Sequence, residues 1–369
     1  MRIGIDARLV YYQQAGITQY ILRLIEGLAQ INEGDEFIIL QHWRDNSIFV
    51  KSPNFRRRAI FTPSHHRFEQ RSLPLELLLT RLDLLHSPDF IPPFQRRWKS
   101  VITIHDLNFL AYPHFLTPEA ARYYGQIDQA VRRADGIIAV SESTKRDIVR
   151  LTGVRESKIQ VIYEGTNPVF RPLNGYEDEI RAMKRKYGIT KDFILFVSTI
   201  EPRKNIPTLL RAFRRLLDDY HADVQLVLAG RKGWLFDEVF RTANELRLEG
   251  DVLFLGRVPT SDLVLLYNAA RAFAFPSLYE GFGLPPLEAM ACGTPTVVSN
   301  VSSLPEVVGD AALLVDPNEV DELTVALWRL LSDEELRQQL IAKGFKRVQC
   351  FSYEKMARET LELYHRVGS

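Results

Sequence analysis

Along almost the whole chain, short apolar runs alternate with stretches in which apolar residues recur every three or four positions. The first kind suits a strand buried on both faces and the second an amphipathic helix, so their alternation predicts parallel sheets with crossover helices, an α/β fold. The pattern places a first strand at Arg2–Asp6, a helix at Tyr20–Leu28 and a second strand at Phe37–His42. Leu82–His86, Ser100–His105, Gly136–Ser141 and Ile159–Tyr163 read as further strands, and Ser141-Glu142-Ser143-Thr144 opens a helix with a capping pattern. After a helix at Asp178–Tyr187 come strands at Phe193–Ser198, Val224–Ala229, Val252–Leu255, Ala272–Phe275 and Thr294–Ser299, with a helix at Leu265–Ala270. Val320–Leu331, Glu334–Lys346 and Ser352–Val367 close the chain as amphipathic helices.

At 369 residues the chain exceeds one ordinary core and suits two domains. Apolar content of 46% and charge of 25% are those of a soluble globular protein, and a net charge of +1 argues against a nucleic-acid partner. Cys292 and Cys350 have no metal-ligand spacing around them, which fits a reducing compartment. No apolar run approaches the roughly 18 residues of a membrane span, and MRIGIDARLV carries Asp6 and Arg8 inside it. The expectation is a cytoplasmic protein, at most peripheral on a membrane.

One segment departs from the neutral average. From Gln41 to His105 there are eleven Lys and Arg against five acids, interleaved with Phe55, Phe68, Phe90, Phe94 and Trp98. Such a surface suits an anionic membrane or a pyrophosphate-linked acceptor, and equally a solvated face.

The chemistry gathers after Phe275, in FPSLYEGFGLPPLEAMACGTPTVVS. Glu280 leads into Gly281-Phe282-Gly283, where two glycines let backbone N–H groups face a ligand. Pro285 and Pro286 suit a helix's first turn, in which Glu288 is expected to fall, and Gly293 can stop that helix. Two carboxylates eight residues apart are thus expected to face one bound molecule from two sides. A helix cap accounts for Glu288 but leaves Glu280 and the paired glycines without a reason. Elsewhere, His105 ends a strand beside Asp106, where its tautomer can be fixed by a carboxylate, and Gly16 lies in the loop after the first strand. Arg203 and Lys204 follow a strand and precede a helix, well placed to neutralise a diphosphate.

With ACGTPTVVS and Pro305-Glu306-Val307 downstream, Glu280 and Glu288 around GFGLP resemble the E-x7-E signature of retaining nucleotide-sugar glycosyltransferases, in particular glycosyltransferase family 4. The resemblance is strong from Ile194 to Pro317 and looser before that. It implies two Rossmann-like domains facing across a cleft, the GT-B fold, with the C-terminal helix crossing back to the first domain. The acceptor domain would be residues 1–168 with 352–369, and the donor domain 169–351. It further implies catalytic roles for His105, Glu280, Arg203 and Lys204, and donor binding by Gly16, Val258, Gly281, Phe282, Gly283, Leu284 and Glu288. Many family members have an Arg where this chain has Thr199, and Arg203 is expected to supply that cation. The family's two adjacent glycines are here Ala15-Gly16, and its NGVD-like linker is replaced by Glu164-Gly165-Thr166-Asn167-Pro168.

The implied reaction moves a hexose, with retention, from a nucleoside diphosphate sugar to a hydroxyl of a glycan or lipid-linked acceptor in polysaccharide synthesis. UDP-glucose or another UDP-hexose is the first expected donor, and GDP-mannose the second. No D-x-D pair is present, so neither metal nor cofactor is expected beyond the nucleotide-sugar co-substrate. A nicotinamide oxidoreductase is disfavoured because the two glycines do not extend to G-x-G-x-x-G. An epimerase or phosphorylase on the same architecture stays open, because fold alone does not fix function. The donor-site residues disfavour a non-catalytic binding module.

Overall fold

The computed structural model describes residues 1–12, 16–111 and 118–368. The chain folds as two compact units, Met1–Gly165 together with the chain from Phe351 onward, and Thr166–Cys350.

The first unit holds β1 (Arg2–Asp6), β2 (Glu36–His42), β3 (Phe55–Ile60), β4 (Leu84–Ser87), β5 (Lys99–Ile104), β6 (Gly136–Ala139) and β7 (Ile159–Val161). They form one parallel sheet in the order β3-β2-β1-β4-β5-β6-β7. The second unit holds β8 (Asp192–Val197), β9 (Val224–Ala229), β10 (Val252–Gly256), β11 (Ala272–Phe275), β12 (Thr296–Ser299) and β13 (Leu313–Val315), parallel in the order β10-β9-β8-β11-β12-β13. Each order reverses once, at β1/β4 and at β8/β11. Open α/β sheets bind ligands outside the strand carboxyl ends at such a reversal.

Central strands such as β9 and β11 are buried at every residue, which is why they read as unbroken apolar runs. Ser141 caps the Glu142–Thr152 helix by accepting from the Thr144 amide at 2.9 Å, as its capping pattern predicts. The Gly16–Ile31 helix buries Ile21, Leu24, Ile25 and Leu28 in one core with Ile3 and Ile5 and with Ala357, Leu363 and Tyr364 of the final helix, Tyr353–Gly368. That final helix therefore does return to the first unit. Gly27 permits the contact, since a Cβ there would lie 2.8 Å from the Ala357 Cβ and 2.9 Å from the Tyr353 carbonyl oxygen. Deeper in, the Tyr364 hydroxyl lies 2.6 Å from His86 Nδ1, and His86 Nε2 lies 2.8 Å from Thr103 Oγ1.

Two strands escape the hydrophobic pattern. β3, FRRRAI, is an edge strand in which Arg56, Arg57 and Arg58 are exposed, so charge hides its periodicity while protecting the free edge. β13 has three residues and lies at the other sheet's edge. Thr294, expected to begin a strand, instead sits in the turn before β12, with its hydroxyl donating to the Tyr267 carbonyl at 2.6 Å. Among the described residues, no helix is long and apolar enough to cross a membrane.

Candidate active site

β8 and β11 are neighbours in the second sheet, so the loops leaving their carboxyl ends meet. The β8 loop ends in a single 3-10 turn, Pro202–Lys204, and the β11 loop runs through Glu280 and the glycines into the Leu284–Ala291 helix. Asn205 ties them together, its side-chain amide donating to the carbonyl oxygens of Pro276 at 3.1 Å and Pro317 at 2.6 Å.

Arg203, Lys204 and Glu280 come together at this junction. Lys204, 5% exposed, donates to Glu280 Oε1 at 2.5 Å, and Arg203 Nη1 donates to Glu280 Oε2 at 3.0 Å. Arg203 also donates to the Tyr279 carbonyl at 3.0 Å and pairs with Glu201 at 2.5 Å. Burial pushes the Glu280 carboxyl up, but Lys204 and Arg203 outweigh it and hold the group below the usual carboxylate range. Glu280 is thus an ionised, buried carboxylate clamped by two cations.

The glycine loop is held from behind by two serines that the sequence reading missed. The Glu280 amide donates to Ser302 Oγ at 2.9 Å, and the buried Ser303 hydroxyl lies 3.0 Å from the Glu280 carbonyl oxygen and 2.6 Å from that of Phe282. Their only local signal is a Ser-Ser pair ahead of the Leu304–Val308 helix. Gly283 has φ +119° at the start of the Leu284–Ala291 helix, and a Cβ there would meet Leu304 Cδ2 at 2.9 Å. The backbone angle is what demands glycine, since the tip of the Leu304 side chain can turn aside. Gly281 and Phe282 are buried within the loop, and Leu284 begins the helix half-buried.

Glu288 corrects an expectation. The helix starts at Leu284, so Glu288 lies beyond its first turn rather than in it. Its Oε2 accepts from the Tyr267 hydroxyl at 2.9 Å. Burial pushes its carboxyl up to about 7, with the Tyr267 hydroxyl opposing. The two glutamates of the motif therefore occupy opposite electrostatic settings. Val258 lies half-buried after β10, in the loop before the Thr260–Ala269 helix.

His105 and Gly16 belong to the first unit. His105 directly follows β5 and is buried, its ring edge-on to Tyr20 with centroids 4.8 Å apart. Its Nδ1 lies 3.1 Å from Glu164 Oε1 and its Nε2 3.0 Å from the Pro88 carbonyl oxygen. Asp106 is engaged elsewhere, its Oδ1 accepting from the Asn108 amide at 3.0 Å. Gly16 starts the first helix, and a Cβ there would meet nothing within 4 Å. Ala15 lies outside the described residues. Among the described residues, no group of three or more His, Cys, Asp or Glu is placed to hold a metal ion.

Comparison with known proteins bears on the fold and the family. Residues 179–347 match the family described as Glycosyl transferases group 1, and residues 15–170 match Glycosyltransferase Family 4. The chain is 32% identical to the O-antigen chain mannosyltransferase B of Escherichia coli over 381 residues, covering 99% of each. It is 32% identical over 286 residues to the serotype-specific mannosyltransferase WbdA of Escherichia coli, covering 75% of this chain and 34% of that longer one. Among solved structures, sucrose-phosphate synthase from Thermosynechococcus elongatus superposes with a TM-score of 0.80 at 23% identity, covering 99% and 98% of the two chains. Anabaena HepE in complex with UDP-glucose gives 0.77 at 19%, covering 99% and 100%. The shared architecture is GT-B, and with an end-to-end relative at this identity the chain belongs to the group 1 and family 4 glycosyltransferases.

Proposed function

We propose that the protein is a retaining mannosyltransferase that takes its sugar from GDP-mannose and adds it, in the cytoplasm, to a hydroxyl of a growing, lipid-linked polysaccharide. The observation that carries this reading is the match along 99% of both chains to an O-antigen chain mannosyltransferase. It moves mannose ahead of glucose, the donor first expected from the motif.

In this reading the bond from the anomeric carbon to the diphosphate breaks through an oxocarbenium-like transition state, and negative charge grows on the departing oxygens. Arg203 and Lys204 supply the positive charge, the first as a fork and the second as a point charge. Together they take the part of a divalent metal. Glu280, whose two oxygens hold these cations in the free protein, keeps them at the mouth of the glycine loop and accepts hydroxyls of the transferred sugar. Glu288 hydrogen-bonds the ribose. Gly281 to Leu284 and Val258 line the donor, Gly16 admits the diphosphate, and His105 contacts the sugar near the reacting carbon.

The test is a panel of radiolabelled GDP-mannose, UDP-glucose and other UDP-hexoses, offered with a lipid-linked glycan acceptor, with and without a strong chelator. Transfer from GDP-mannose that survives the chelator and gives the donor's own anomeric configuration is the expected result. Transfer from UDP-glucose alone would overturn the donor assignment. Loss of activity in chelator that manganese restores would overturn the metal-free mechanism. Interconversion of sugars without transfer would point to an epimerase.

A further inference from the structure

The outer side of the Glu69–Leu77 helix is apolar where a solvent-facing helix is ordinarily polar. Leu73 and Leu77 turn inward, into a core with Ile38, Leu40 and Ile60. On the other side Phe68, Leu75, Leu78 and, one residue past the cap, Leu79 are exposed by 49, 67, 52 and 88%. Their spacing of three, four and seven residues puts Phe68, Leu75 and Leu78 with the exposed Arg71 along one stripe. Phe61 and Trp43, 67 and 41% exposed and stacked with ring centroids 5.7 Å apart, widen the patch. They lie beside the helix, because the Phe61 amide donates to Glu76 Oε2 at 2.8 Å.

The charges around this patch are sorted by sign. Both acids of the helix are drawn inward, Glu69 onto the buried Arg8 and Glu76 onto the Phe61 and Thr62 amides. The outward charges are basic. Arg56 and Arg58 share with Ile60 the sheet face that the helix covers, by strand alternation, and a half-buried Glu36 at 3.3 Å tempers Arg56. The Arg44 guanidinium lies over the Trp43 ring and that of Arg67 over Phe68, each 4.6 Å from the centroid. Arg57 stands apart from the triplet, its guanidinium donating to the carbonyls of Asp45 and Trp43.

We propose that this face of the first unit docks on an anionic bilayer, with the leucines and Phe61 at headgroup depth and the arginines on lipid phosphates. Aliphatic tips inside a rim of one charge sign match a surface that is greasy below and negative above. A second copy fits less well, because an isologous contact would set arginine against arginine. The proposal is independent of the donor assignment.

The test is sedimentation of the full-length protein with phosphatidylcholine vesicles, with and without phosphatidylglycerol, at low and high salt. Wild type should pellet with the anionic vesicles at low salt and be released by salt. Replacing Leu75 and Leu79 by serine should weaken partitioning roughly tenfold or more. Arg56→Gln with Arg58→Gln should weaken it by roughly fivefold per arginine, since each contributes about 1 kcal/mol near such a surface. Because these side chains are exposed, unchanged melting temperatures should show that the variants fold. Wild type remaining in the supernatant with anionic vesicles at low salt overturns the proposal. So does full retention by the leucine variant, or a concentration-dependent dimer that the leucine variant abolishes.

Discussion

His105 Nδ1 lies 3.1 Å from a carboxylate oxygen of Glu164, 59 residues further along the chain, while its Nε2 faces the Pro88 carbonyl at 3.0 Å. A carbonyl only accepts and a carboxylate accepts best, so both ring nitrogens are called on to donate. Burial opposes the charged ring, but Glu164 and the Pro88 carbonyl outweigh it and raise the His105 pKa above its ordinary value. Glu164 is thus the residue that positions and charges this histidine.

Its contribution to stability has a defined sign. A histidine whose folded pKa is raised contributes fully below its unfolded value of about 6.5, and the contribution is lost as pH rises through the folded pKa. Glu164→Gln should remove about 1.5–3 kcal/mol at pH 6 and flatten the decline above it. Denaturant melts across pH 5.5–9, with an NMR titration of the imidazole, would read both. An unchanged His105 titration in the variant would remove Glu164 from this role.

Glu280 and Glu288 should separate in calorimetry. Glu280→Ala leaves Lys204 buried without its carboxylate, which costs about 3–5 kcal/mol of stability, and it should abolish most turnover. It should leave binding of free GDP or UDP nearly intact, since in the proposed reading Glu280 meets the transferred sugar rather than the nucleotide, and Arg203 keeps its contacts with Glu201 and the Tyr279 carbonyl. Glu288→Ala should weaken nucleotide binding by roughly 10- to 150-fold, the worth of a charge-assisted hydrogen bond. Equal losses of affinity in the two variants would end the division of roles.

The raised pKa of Glu288, about 7, predicts a second pH dependence. The neutral carboxyl suits its half-buried, apolar place, so the favourable contribution is present below the unfolded value near 4.5 and is lost as pH rises through about 7. Glu288→Gln stays neutral throughout. Its melting temperature should therefore gain on wild type between pH 4.5 and 7 and hold a constant lead above that. A pH-independent difference would mean that Glu288 titrates in the folded protein as it does in the unfolded chain.

Gly27→Ala tests the seat of the final helix. Alanine is favoured over glycine in a helix by about 1 kcal/mol, but here its Cβ would press on Ala357 and on the Tyr353 backbone, and overpacking of this kind costs about 1–3 kcal/mol. A net loss is expected, with hydrogen exchange accelerated first in Tyr353–Gly368. A stabilised variant would show that the two helices separate without cost.

The sequence by itself determined that the chain is α/β, because strands buried on both faces must be continuous apolar runs, as β9 and β11 are. It also exposed the glycine loop, because Gly283 adopts a backbone angle that residues with a side chain rarely take. β3 stayed hidden because an edge strand carries charge where a central one carries valine. Only the tertiary structure decided that Arg203 and Lys204 close on Glu280, 77 and 76 residues away, that Glu164 holds His105, and that Tyr364 reaches His86 across 278 residues. It also parted Arg57 from Arg56 and Arg58, and moved Glu288 out of the first helical turn. The reason is physical: burial and backbone conformation are constraints on a residue and its near neighbours, so they leave a periodic trace in the chain. A hydrogen bond between distant residues constrains only the two ends, and either side chain reads the same in sequence whether or not its partner arrives.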